Sequence, residues 1–63
     1  MNFKIGQVFR YENKIYQVLS INSSIVIAHS YDKNCDIDST IYISFASKEV
    51  IAKSTSKRNV IND

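Results

Sequence analysis

His29 and Cys35 are the only histidine and the only cysteine in this 63-residue chain, and so its only ordinary candidates for a neutral-pH base or a thiol nucleophile. Nucleophilic catalysis needs a nucleophile, a base and an orienting group within hydrogen-bond reach. His29 shares its parity with Ile25 and Ile27, which places it at the edge of a core or across from a neighbouring strand. Cys35 lies in a polar stretch with no cationic cluster beside it to favour the thiolate, and reads as a free thiol. The same stretch resembles the start of a calcium loop, with Asp32, Asn34, Asp36 and Asp38 at alternate positions. Ile37 stands where such a loop needs glycine for its sharp turn, and Ile43 where it needs a bidentate glutamate. A solvated acidic loop is the expectation. No zinc-type spacing, glycine-rich phosphate cradle or carboxylate pair can be assembled from the rest. The chain is expected to be non-enzymatic, with no catalytic residue, metal or cofactor.

Binding asks for less. Tyr11, Tyr16, Tyr31 and Tyr42 are many tyrosines for a small core, and a tyrosine can bury its ring while its hydroxyl stays wet. Tyr11 and Tyr31 beside Arg10, Lys14 and Lys33 would make a mixed aromatic and basic surface that stacks bases or grips a peptide. Lys53, Lys57 and Arg58 would add phosphate contacts from a tail. The bland alternative is that the tyrosines only complete a poor core and the tail is only solvated. Charge distribution tempers the nucleic-acid reading. Eight basic against six acidic residues give +2. Residues 1–52 are neutral, so the excess comes from Lys53, Lys57 and Arg58 against Asp63, whereas a phosphate binder normally carries a stronger basic bias.

These residues must be positioned by a very small fold. A chain of this length buries only roughly 60% of its unfolded surface, and one cysteine cannot form an internal disulfide. Oligomerisation or a held partner gains weight accordingly. The longest apolar run, Ile25 to Ala28, falls far short of the ~20 residues of a membrane helix. With no signal-peptide pattern, a cytoplasmic location is expected.

β-Branched and aromatic residues, broken at short intervals by turn formers, predict an all-β domain. Five strands are expected, at about Phe3–Tyr11, Ile15–Ile21, Ile25–Tyr31, Thr40–Phe45 and Val50–Ala52. Turns fall at Glu12–Lys14, with Asn13 left-handed, and at Asn22–Ser24; Gly6 marks a bulge. Ile25–Tyr31 is the expected core strand, and Asp32–Ser39 a polar loop. Ala46–Glu49 reads as one helical turn N-capped by Ser47, against a competing helix from Ser47 to about Arg58. The composite expectation is an SH3-like or Tudor-like small barrel over residues 1–53, whose closure removes exposed edges. Residues 54–63 would follow as a flexible polar and basic tail.

Asn13-Lys14-Ile15-Tyr16-Gln17-Val18, Ile25-Val26-Ile27-Ala28, Tyr31-Asp32-Lys33 and Ile41-Tyr42-Ile43-Ser44 together resemble the C-terminal small barrel of Mu-type transposases. The likeness spans roughly residues 8–52, with Asn13 in place of that family's usual hairpin glycine. The first hairpin is also similar to KOW-like barrels of translation and transcription factors. The resemblance implies an accessory barrel that helps to contact DNA or another protein, and implies no recombination chemistry. The leading expectation is thus a binding module in a DNA or RNA complex, acting through Arg10, Tyr11, Lys14, Tyr31, Lys33, Lys53, Lys57 and Arg58. The alternative is a protein-interaction module: a small regulator or inhibitor of mobile-element origin, or a subunit of a homo-oligomer.

Overall fold

The structure, a computed structural model, describes residues 2–58. Five antiparallel strands form one meander: β1 (Val8–Tyr11), β2 (Lys14–Asn22), β3 (Ile25–Asp32), β4 (Ile37–Ser44) and β5 (Val50–Lys57), in that spatial order. Each connection is a short hairpin, as strand neighbours in sequence favour. Tyr11 pairs with Lys14 across the first turn, where Glu12 (φ 51°) and Asn13 (φ 66°) are both left-handed. Such a two-residue turn has the twist of the strands it joins. Ser23 (φ 47°) turns the second hairpin, between Asn22 and Ile25.

One face of the sheet carries the core: Tyr16, Val18, Val26, Ala28, Ile41 and Ile43, with Phe3 packed on them from before β1. The alternation of β3 and β4 supplies two core residues from each, Val26 and Ala28 against Ile43 and Ile41. β2 is apolar on both parities because its register shifts between Val18 and Ser20. The bulge at Leu19 lets Val18 and Ile21 reach the same face, opposite Ala28 and Val26. Phe3, Phe9, Tyr16 and Tyr11 form an aromatic chain along it, with successive ring centroids 5.8, 5.9 and 6.1 Å apart. Such contacts add about 0.5–1.5 kcal/mol each beyond area burial.

Several expectations are corrected. The sheet is not closed into a barrel: β5 pairs with β4 alone and β1 with β2 alone. In β5, Lys53 and Thr55 share a face with the core residues Ile41 and Ser39 that they pair with, and β5 from Ile51 onward brings no buried apolar residue to that face. No helical turn precedes β5. Lys48 has φ 65°, which a right-handed turn excludes. The loop is closed instead by Lys48 N–H to Ser44 O and Ser44 N–H to Glu49 O, both 2.8 Å. The Ser44 hydroxyl also accepts Ser47 N–H, at 3.2 Å. The competing helix is likewise absent, because Val50–Lys57 is strand.

That strand also takes in residues 54–57 of the expected tail; residues 59–63 lie outside the described ones. β1 begins only at Val8, since Gly6 (φ 89°) turns the chain before it. Gly6 N–H donates to Val18 O at 2.8 Å, and Val18 N–H to Gln7 O at 2.9 Å. β4 starts at Ile37, so the polar loop shortens to residues 33–36.

Candidate functional site

Six of the eight residues expected to bind are distributed over three places, and Arg10 and Tyr11 lie outside them. Lys14, Tyr31 and Lys33 come together, with Asn13, Ile15, Ser30, Asp32 and Asn34, around an open cleft of about 330 Å³ where the first hairpin turn meets the β3–β4 loop. Lys14 is half-buried and its Nζ donates to Ser39 Oγ at 3.3 Å. Asp32 Oδ1 accepts Asn34 N–H at 2.9 Å, so this carboxylate shapes the loop. Arg10 is exposed on β1, whereas Tyr11 is half-buried with its ring edge-on to Tyr16. Tyr11 is therefore part of the packing.

Tyr31 and Arg58 belong to a network on the solvent face of the sheet. The Arg58 guanidinium lies 3.9 Å from the centre of the Tyr31 ring and makes two hydrogen bonds to Asp38, the Nε one at 2.9 Å. Arg58 N–H also donates to Asp36 O at 2.7 Å, so backbone and side chain both hold it in place. His29 Nε2 lies 2.7 Å from Asp38 Oδ1, and Tyr31 Oη donates to Asp36 Oδ1 at 2.8 Å. The Arg58 hydrogen bond holds the Asp38 carboxyl below the usual carboxylate range, with His29 acting in the same direction. The hydrogen bond to Asp36 raises the Tyr31 phenol above its ordinary value. Asp36 and Asp38, read in the sequence as members of a failed calcium loop, are thus the partners of Tyr31, His29 and Arg58. No spacing along the chain signals this, because it depends on the β3–β4 register that sets Tyr31 opposite Asp38. Among the described residues no three His, Cys, Asp or Glu side chains are grouped to hold a metal.

The third place is β5. Lys53 Nζ reaches Glu12 Oε1, in the first hairpin turn, at 3.0 Å, and this carboxylate raises the lysine above its ordinary value. Lys57 stands opposite Ile37 in the register. Every β5 residue from Ile51 onward is exposed, and among the described residues no strand pairs with its far edge. The orientation of that edge follows from the ladder. Arg58 N–H points to Asp36 of the β4 side, and Ser56 and Ser54 follow at two-residue steps in the same register. In an antiparallel ladder the N–H and C=O of one residue point the same way and alternate along the strand. The backbone groups of Lys53, Thr55 and Lys57 therefore point away from β4, into solvent.

On the solvent face, Val8, Ile15 and Leu19 of β1 and β2 are each at least half exposed, giving this small domain an apolar side as well. No family model, curated protein or solved structure matches the chain.

Proposed function

We propose that the chain is a non-enzymatic protein-interaction module that accepts an extended segment of a partner protein along the free edge of β5. The observation that carries this reading is an eight-residue outer strand whose outward N–H and C=O groups, at Lys53, Thr55 and Lys57, have no strand beside them among the described residues. Unpaired edges of this kind recognise extended peptides through main-chain hydrogen bonds, with side-chain contacts adding selectivity. Charge supports the same choice. Lys53 and Arg58 are ion-paired within the chain, and the cleft around Lys14 and Lys33 also contains Asp32. Fewer cations are then available to neutralise phosphates than composition alone suggests.

A second reading, an accessory small domain in a DNA or RNA complex, is favoured by the convergence of Lys14, Tyr31 and Lys33 on one cleft. The resemblance to the barrels of Mu-type transposases and KOW-like domains implies contact with DNA or protein, and is shared by both readings.

Residue-resolved amide exchange, with extended synthetic peptides and with single- and double-stranded oligonucleotides as probes, separates the two. Protection gained at Lys53, Thr55 and Lys57 on peptide addition is expected. Binding confined to oligonucleotides, centred on Lys14, Tyr31 and Lys33 and steeply weakened by salt, would replace the first reading with the second.

A further inference from the structure

Resting on the reading of β5 as a strand-accepting edge, we infer that the segment it accepts is acidic. Two of its carboxylates are spaced to meet Lys53 and Lys57, and Glu12 occupies Lys53 until such a segment displaces it. The geometry of β5 joins backbone and side chain in one specification. The residues with outward backbone groups are Lys53, Thr55 and Lys57. Lys53 and Thr55 pair with the core-facing Ile41 and Ser39, and the two-residue period of a strand puts Lys57 on the same face. An added antiparallel strand would hydrogen-bond these three residues and set its own side chains opposite theirs, with Cα atoms about 5.5 Å apart. The lysines lie roughly 13 Å apart along the strand. A partner with carboxylates at the matching separation meets both, on the face that also carries Ile41 and Ser39.

A second copy of this chain fits poorly. Antiparallel pairing of two β5 strands about Lys53, Thr55 or Lys57 sets lysine directly opposite lysine, and pairing about Ala52, Ser54 or Ser56 sets lysines on the cross-strand diagonal, about 7–8 Å apart. A nucleic-acid strand fits poorly too, since it offers no ladder of alternating donors and acceptors to the edge.

Glu12 shows that this face takes a carboxylate, and how. It sits in a turn position with φ 51°, where asparagine or glycine would be accommodated without strain, and its side chain spans to Lys53 at 3.0 Å. Among the described residues Lys57 pairs with no carboxylate. The edge thus offers one lysine ready to bind and one under a displaceable internal acid.

The test is titration of the isotopically labelled chain with a synthetic extended peptide carrying two glutamates spaced as Lys53 and Lys57 are. A glutamine version and a version with its glutamates on opposite faces serve as controls. Amide shifts and exchange are read at Lys53, Thr55 and Lys57. The acidic peptide is expected to bind more tightly than either control. Lys57→Gln should weaken it about two- to fivefold and Glu12→Gln strengthen it by a similar factor, the range of exposed charge pairs. A gain in Glu12→Gln cannot come from misfolding. If all three peptides protect β5 equally, or Glu12→Gln weakens the acidic one, the acidic specification is overturned while strand addition stands. If no peptide alters β5, the strand-accepting reading falls with it.

Discussion

Asp38 is the residue on which the most contacts of the solvent face converge, and its energetics have a definite sign with pH. Its carboxyl is held below the usual range by Arg58 and, in the same direction, by His29. A carboxyl whose folded pKa is lower than its unfolded one contributes stability above the unfolded value, and that contribution disappears as pH falls through the folded value. The difference in thermal midpoint between the wild type and Asp38→Asn is therefore expected to shrink as pH falls below about 4. A difference that persists undiminished in strong acid would mean that the charge of Asp38 is not what holds Arg58. Gly6 has a different basis. A Cβ added there would meet nothing within 4 Å, so the requirement for glycine lies in its φ of 89° and not in space. Gly6→Ala is expected to cost about 1–2 kcal/mol in urea unfolding, and Gly6→Asn less, because asparagine tolerates positive φ better. Equal losses would point to packing instead.

At the scale of elements, the first hairpin carries a local conflict that can be measured. Glu12→Asn puts a residue suited to positive φ at a position with φ 51° and removes an exposed ion pair. The backbone gain is expected to exceed the loss, raising the midpoint of unfolding; a lowered midpoint would mean that the Glu12–Lys53 bridge holds the hairpin to β5. In β4, Ile41 is fully buried, and Ile41→Ala is expected to cost about 2–5 kcal/mol. Small single cores rarely supply more than about 3–5 kcal/mol in all, so circular dichroism at room temperature should report a largely unfolded chain.

Elements with clear alternation or turn chemistry were legible in the sequence. The turn at Asn13, the core strand Ile25–Tyr31 and the alternation of Ile41 and Ile43 all have local causes, and all are present. What was not legible depends on partners distant in sequence. The bulge at Leu19 is a shift in the register of β2 against β3, and Ser54–Lys57 has no apolar signal yet is held in the ladder with β4. Ala46–Glu49 resembled a helical turn by composition, yet the hairpin geometry set Lys48 left-handed. For the same reason the candidate site was only partly readable: Lys14, Tyr31 and Lys33 do converge, but the partners of Tyr31, Lys53 and Arg58 depend on register and on contacts between residues distant in sequence.

For the whole molecule, the consequence of an open meander is an edge that must be guarded against its own kind. Lysines on an edge strand discourage self-pairing. Replacing both Lys53 and Lys57 with threonine is expected to promote self-association, seen by sedimentation equilibrium as a concentration-dependent rise in mass. An unchanged mass would show that the lysines do not guard the edge. Residue-resolved amide exchange on the free chain tests most directly whether that edge is open. Lys53, Thr55 and Lys57 are predicted to exchange at nearly unprotected rates while Ser54 and Ser56, bonded to β4, exchange slowly. Protection of Lys53, Thr55 and Lys57 equal to that of Ser54 and Ser56 in a monomer would mean that a strand already covers β5, and would contradict the account.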